Sequence, residues 1–410
     1  MKILMVNKFF YIKGGSETYY FALKKLSEEN GDEVIDFSMK DKKNFESQYS
    51  KFFVDSVDYN KKQSLISKIK AGFKIIYSFE AKRKLERLIK ETKPDIAHLH
   101  IFQHQLSLSI LDVLKKYNIP IVYTAHDLKM LCPNYKMLTH GKVCEQCKNG
   151  KYFNCLKNKC IKNSSIKSTI GMLEAYTNKL RKSYDIIDHI ITPSEFYKDK
   201  FIEFGIEQEK ISHIPNFLDT KQIKYDTIQT DDYFLYFGRL SEEKGIMTLI
   251  KAMEGIKYSN LKIVGTGPLE EEIKEYIKNN NIANIEMLGF KSGKELYTIV
   301  GNAKAVVLPS EWYENGPYSA IESLKLGRII IGSDLGGIPE LIDGNGYIFE
   351  HGNIKELHEI LEKVQNLDEK SIIKMQNKSY KKFEKEYTDK IHYERIQEIY
   401  KKLNDKKTIK

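Results

Sequence analysis

Eleven short apolar runs, separated by stretches of helical spacing, constrain this chain more than any other feature. The first half carries MKILMV (1–6), EVIDFS (33–38), DIAHLH (95–100), IPIVYTAH (119–126) and HIITPS (189–194). The second carries YFLYF (233–237), LKIVG (261–265), IEMLG (285–289), AVVLP (305–309), RIIIGS (328–333) and GYIFE (346–350). Strands that alternate with helices pair in parallel and are covered on both faces, so each series predicts an α/β, doubly wound, Rossmann-like sheet. HIPNFLD (213–219) reads as the exit from the first domain and residues 220–232 as a linker. The expected organisation is a first domain over 1–219, a second over 220–380, and a segment 381–410 whose lysine-rich helix, roughly 381–403, crosses back onto the first domain. With 410 residues, 41% of them hydrophobic, the chain can fill two cores of ordinary size.

Open α/β sheets bind ligands at the carboxyl ends of their strands, and charged residues gather there. After AVVLP, residues 311–323 read EWYENGPYSAIES: Glu314 and Glu322 lie eight positions apart across the turn Asn315-Gly316-Pro317, which opens a helix at Tyr318 and Ser319. A helix start offers backbone N–H groups and partial positive charge to an anion, and a carboxylate inside that helix can accept from the vicinal hydroxyls of a ribose. After YFLYF comes Gly238-Arg239-Leu240-Ser241-Glu242-Glu243-Lys244-Gly245, whose Arg239 and Lys244 suit a diphosphate. In the first half, Gly14-Gly15 follows the first strand with Glu17 opening a helix, and His126 with Asp127 ends the fourth apolar run. The glycine pair is not the G-x-G-x-x-G that a nicotinamide dehydrogenase places at its strand end.

GRLSEEKG, then VGTGP (264–268) and LGF (288–290), then E-x7-E, together with the N-terminal Gly14-Gly15 loop and TAHD (124–127), resemble the retaining glycosyltransferases of GT-B architecture, family 4 type. The resemblance spans nearly the whole chain and implies two Rossmann-like domains facing a cleft, with a nucleotide-sugar donor and a saccharide or lipid-linked acceptor. It implies that Arg239 and Lys244 stabilise the leaving diphosphate, assisted by amides at Gly316 to Ser319. Glu322 then holds the ribose, Glu314 contacts the sugar, and His126 lies over the donor sugar with Asp127 orienting it. Gly14, Gly15, Gly265, Gly267, Pro268, Phe290, Asn315, Pro317 and Tyr318 complete the expected donor surroundings. Front-face transfer with retention and without an obligatory divalent cation is implied as well. The family's commoner phenylalanine-glycine after the first glutamate is replaced here by Asn315-Gly316-Pro317, which leaves the sugar preference open. A GT-B nucleotide-sugar epimerase and a non-catalytic nucleotide-sugar-binding protein are the alternatives. A chain that had lost activity should lack one of Arg239, Lys244, Glu314 or Glu322, and all four are present.

No stretch approaches 18 consecutive apolar residues, and the N-terminal ILMV is cut short by Asn7 and Lys8, so a cytoplasmic protein is expected. The formal charge of +10 comes from the first half: residues 1–220 hold 37 Lys and Arg against 26 Asp and Glu, the rest 29 against 30. Residues 60–93 hold 11 basic and 3 acidic residues, with Leu65, Ile69, Phe73 and Ile76 at helical spacing beside Lys68, Lys70 and Lys74. That pattern fits a helix on the anionic inner face of the plasma membrane, and equally an amphipathic helix packed on its own sheet. An aromatic-studded basic ribbon is lacking, so nucleic acid is not an expected partner.

All five cysteines fall between 132 and 160, in a lysine-rich insert after TAHD. Cys144, Cys147, Cys155 and Cys160 match a closed, structural four-cysteine zinc knuckle or, alternatively, reduced thiols in an ordered loop.

Overall fold

The computed structural model describes residues 1–56, 75–220 and 230–408. Two six-stranded sheets dominate it, and every strand pair in them is parallel. The first comprises β1 (Lys2–Val6), β2 (Glu33–Phe37), β3 (Ile96–Leu99), β4 (Ile121–Thr124), β7 (His189–Thr192) and β8 (Ile211–His213) in the order β2-β1-β3-β4-β7-β8. The second comprises β9 (Tyr233–Phe237), β10 (Asn260–Val264), β11 (Ile285–Gly289), β12 (Ala305–Leu308), β13 (Ile329–Ser333) and β14 (Gly346–Phe349) in the order β11-β10-β9-β12-β13-β14. A two-stranded hairpin, β5 (Leu138–Thr139) and β6 (Lys142–Val143), stands apart in the cysteine-rich insert.

The apolar runs become central strands because both of their faces are buried. Successive residues of β1 pack on opposite sides: Leu4 and Val6 join the core under Leu85 and Leu111, while Ile3 and Met5 join the one under Tyr19 and Tyr20. In the second sheet Phe234 and Tyr236 face Leu249 and Leu357, and Leu235 and Phe237 face Ile321 and Leu324. Helices on both faces leave only the strand ends open. Sequence order reverses direction between β1 and β3 and again between β9 and β12, so each sheet has a crevice at the carboxyl end of those pairs.

Two features depart from the strand and helix pattern read above. The short edge strand β8, Ile211–His213, extends the first sheet immediately before the expected domain exit. The lysine-rich C-terminal helix is two segments, Glu369–Glu386 and Asp389–Thr408. They part at Tyr387 and Thr388, where the Leu218 N–H donates to the Tyr387 carbonyl at 3.1 Å and Leu218 bridges Thr388 as in a parallel ladder. The last helix then lies on the first domain, with His392, Ile396 and Tyr400 buried. Its His392 Nε2 meets the Tyr19 hydroxyl at 2.9 Å and its Tyr400 hydroxyl meets His98 Nδ1 at 2.6 Å.

Candidate active site

The loops after β9 and β12, on either side of the second sheet's reversal point, bring Lys244 and Glu314 together. Lys244 Nζ lies 2.6 Å from Glu314 Oε1, which also accepts from Ser310 Oγ at 2.7 Å and Trp312 Nε1 at 2.8 Å. Glu314 is buried, and its cation and two neutral donors offset the cost of removing a carboxylate from water. Two cations approach the Trp312 ring, Lys244 at 5.4 Å and Lys136 at 5.5 Å from its centroid. Arg239 is exposed on the same loop as Lys244. Lys244 is charge-compensated by Glu314 rather than open.

The turn Asn315-Gly316-Pro317 opens the helix Tyr318–Lys325, with Gly316 at φ +73°, a backbone region that favours glycine, and Pro317 capping the helix one position earlier than its usual first-turn place. Glu322 is the fifth residue of that helix, and burial pushes its carboxyl up from 4.5 to about 7. Gly265 and Gly267 let the loops after β9 and β10 touch: a Cβ on them would stand 1.9 Å from the Gly238 carbonyl oxygen and 2.1 Å from that of Leu240. Pro268 and Phe290 are exposed on neighbouring loops, and Ser319 is half-buried in the first turn of the helix.

The first domain supplies the opposite wall. Gly14 caps the helix Gly15–Glu29, and a Cβ on Gly15 would rest 3.5 Å from the Tyr318 ring, so the glycine loop reaches the helix that carries Glu322. His126 follows β4, with Tyr19 edge-on at 5.0 Å between ring centroids and His100 Nδ1 at 3.1 Å from its Nε2. Burial holds His126 down at about 3 and His98 likewise, so both imidazoles are neutral at ordinary pH. Asp127 does not orient His126: it accepts the Lys129 backbone N–H at 2.9 Å, and the contact to the imidazole comes from His100. His100 in turn stacks on His98, 4.4 Å between centroids, and His98 Nε2 is fixed by Thr124 Oγ1 at 2.7 Å. The H-x-H ending the third apolar run was the available signal for this row.

The two walls are tied across the crevice. Asn315 Nδ2 donates to the Ala125 carbonyl at 2.7 Å, directly beside His126, and Asn216 Nδ2 donates to the Gly316 carbonyl at 2.9 Å. Glu340 accepts the Glu195 and Phe196 backbone N–H groups at 2.9 and 2.7 Å, capping a first-domain helix from the second domain. The insert adds two more ties: Lys136 to Glu243 at 2.9 Å and the Tyr313 hydroxyl to Glu145 at 2.7 Å. None of these partners is apparent from sequence spacing, since each joins residues more than 90 positions apart.

All five cysteines of the insert wall one small cavity of about 10 Å³ with Asn134 and Thr139. Cys132, set aside in the four-cysteine reading, lies among them. Among the described residues no three His, Cys, Asp or Glu side chains form a ready-made metal shell. Of the basic stretch 60–93, Leu65, Ile69, Phe73, Lys68, Lys70 and Lys74 lie outside the described residues. No helix among the described residues is long and apolar enough to cross a membrane.

Comparison with known proteins identifies the family and the fold. The profile of Glycosyltransferase Family 4 matches residues 13–222, and that of Glycosyl transferases group 1 matches residues 219–384. An uncharacterized glycosyltransferase of Methanocaldococcus jannaschii, MJ1178, is 26% identical over 99% of both chains. The amylovoran biosynthesis glycosyltransferase AmsK of Erwinia amylovora is 26% identical over 51% of this chain and 55% of its own. The crystal structure of Anabaena Alr3699/HepE in complex with UDP and glucose superposes with a TM-score of 0.63 at 16% identity, covering 97% of this chain and 99% of that one. Sucrose-phosphate synthase of Thermosynechococcus elongatus superposes at 0.72 and 15% identity, over 98% of both. These likenesses establish the GT-B fold, and with more than half of its length matched by the family profile, the chain belongs to glycosyltransferase family 4.

Proposed function

We propose that the chain transfers a sugar, with retention, from a nucleotide-diphosphate sugar to a saccharide or lipid-linked saccharide in surface polysaccharide assembly. The carrying observation is that the Lys244–Glu314 pair, the helix bearing Glu322 and His126 converge on one crevice, tied there by the Asn315–Ala125 hydrogen bond. In this reading the donor diphosphate competes with Glu314 for Lys244, and Arg239 and the amides of the helix start complete its surroundings. Glu322 accepts from the ribose hydroxyls. Glu314, released from Lys244, faces the sugar, and neutral His126 donates to a sugar hydroxyl rather than exchanging protons. Charge neutralisation by two basic side chains and a helix start takes the part that a divalent cation plays elsewhere, so transfer is proposed to be independent of added metal.

The relatives favour this substrate class. AmsK is named for amylovoran biosynthesis, WcaL of Escherichia coli for colanic acid biosynthesis, and another Escherichia coli relative is an O-antigen chain mannosyltransferase. HepE crystals hold UDP-glucose. For the insert we propose a structural zinc, its shell completed when a bound ion draws four of the five thiols inward, because such thiols bracket a space of single-ion size.

The test is thermal stabilisation by UDP, GDP and their sugars, followed by nucleotide release from the stabilising donor and the anomeric configuration of the product by NMR. Stabilisation by none of them, or an inverted product, would defeat the reading.

A further inference from the structure

The helix Ser165–Leu180 is amphipathic in the reverse sense. Its inward face is polar or small, with Ser168, Gly171, Glu174 and Asn178 buried. Its outward face carries Ile166, Leu173 and Leu180, which are 72, 48 and 84% exposed. Recurring every seven residues, these three share one stripe. The inward face is seated by polar contacts: Glu174 pairs with buried Lys129 at 2.8 Å, and Ser168 Oγ accepts the Ile161 N–H at 3.1 Å. At the helix end Arg181 stacks over Tyr77 at 4.7 Å, and Tyr77 touches the exposed Phe79 with ring centroids 4.9 Å apart.

Positive charge predominates around the stripe, with Arg181 paired to Asp112 at 2.9 Å and Asp185 the exposed acid at the helix end. Residues 146–184 contain nine Lys and Arg and a single acid, Glu174, which is buried against Lys129. Lys157, Lys162, Lys167, Lys179 and Lys182 are all exposed. A second copy of the chain docking symmetrically would press this positive rim against itself. An anionic lipid surface meets both halves of the pattern, taking the aliphatic side chains into its interfacial layer and the lysines among its headgroups.

We propose that the helix Ser165–Leu180 docks on an anionic bilayer, entering it through Ile166, Leu173 and Leu180. The contact deepens the lipid-linked acceptor reading and rests on it for purpose. Glu174 holds Lys129, three residues beyond His126, so the docked helix is joined directly to the first-domain wall of the crevice.

The test is co-sedimentation of the full chain with phosphatidylcholine vesicles with and without phosphatidylglycerol, in the absence of donor sugar. The expected result is binding that requires phosphatidylglycerol and weakens with salt. A variant combining Ile166→Ser, Leu173→Ser and Leu180→Ser should bind at least about tenfold more weakly, with melting temperature and nucleotide binding retained. Lys167→Gln with Lys182→Gln should reduce the preference for phosphatidylglycerol. Absence of wild-type binding, or wild-type binding by the triple variant, overturns the proposal. So does a wild-type dimer that the triple variant converts to monomer in light scattering, which would assign the stripe to chain–chain contact. Because no donor sugar is present, failure here leaves the transfer reading standing, and failure of transfer leaves the docking result intact.

Discussion

Replacing Glu322 with glutamine gives the sharpest test of the donor site, because the structure supplies both a sign and a size. Burial raises this carboxyl from 4.5 to about 7, so it is about half protonated at neutral pH. At about 1.4 kcal/mol per pKa unit, the ionised side chain carries a penalty of about 3.5 kcal/mol, an upper bound for a half-buried group. Ribose hydroxyls donate to the ionised form, so binding must draw from that population. With a pKa near 7, about a tenth of the wild-type chains are competent at pH 6 and nearly all at pH 8, so apparent Kd should rise about tenfold on acidification. The glutamine variant should show a weaker affinity at pH 8 and lose that part of the slope. Calorimetric titration of both proteins with the same nucleotide at pH 6, 7 and 8 isolates the residue, since ionisation of the ligand itself is common to both. The linked stability has the opposite sense. A raised carboxyl stabilises the fold fully below its unfolded value of about 4.5, and that contribution is lost as pH rises through about 7. The unliganded variant should therefore melt higher than wild type at pH 8. Equal pH slopes in the two proteins would refute the placement of Glu322 on the ribose.

Lys244→Ala removes the cation from buried Glu314 and the charge proposed for the leaving diphosphate, so donor turnover should fall on the order of a hundredfold; turnover at the wild-type rate with every nucleotide sugar would remove Lys244 from the site. Because burial holds His126 at about 3, the rate profile should show no limb near pH 6.5 from this residue. A limb there that disappears in His126→Asn would show that the imidazole titrates. Gly265→Ala places a Cβ 1.9 Å from the Gly238 carbonyl oxygen and should cost about 3 kcal/mol or more in chemical denaturation; an unchanged midpoint would mean that the two loops yield. Metal analysis of protein purified under reducing, chelator-free conditions should find about one zinc per chain, and less than about a tenth would leave the cysteines as free thiols.

Much of the fold is legible because continuous apolar runs have few alternatives. YFLYF and RIIIGS must be buried on both faces, and helices between them force parallel crossovers. The short strand Ile211–His213 carries too little apolar pattern to be read, and at the break between Tyr387 and Thr388, where Thr388 caps the last helix, the contact with Leu218 joins residues far apart in sequence. The site divides in the same way. Glu314, Glu322, Lys244 and His126 are legible from their positions after strand-like runs. His100 reveals its contact with His126 only when β3 and β4 pair, and Asn315 its hold on Ala125 only when the domains close.

The part of the protein legible along the chain is periodic and local: two series of buried strands, a glycine-marked turn before a helix, and charged residues at strand ends. Local pattern sets these because backbone hydrogen bonding and burial act over a few residues. Which charges meet is settled by the packing of distant segments. Lys244 and Glu314, 70 positions apart, neutralise each other because β9 and β12 are neighbours in the sheet. The apolar face of Ser165–Leu180 points outward while Glu174 on its inward face pairs with Lys129. Pairing and burial depend on where distant segments come to rest, and electrostatic partners are chosen only there.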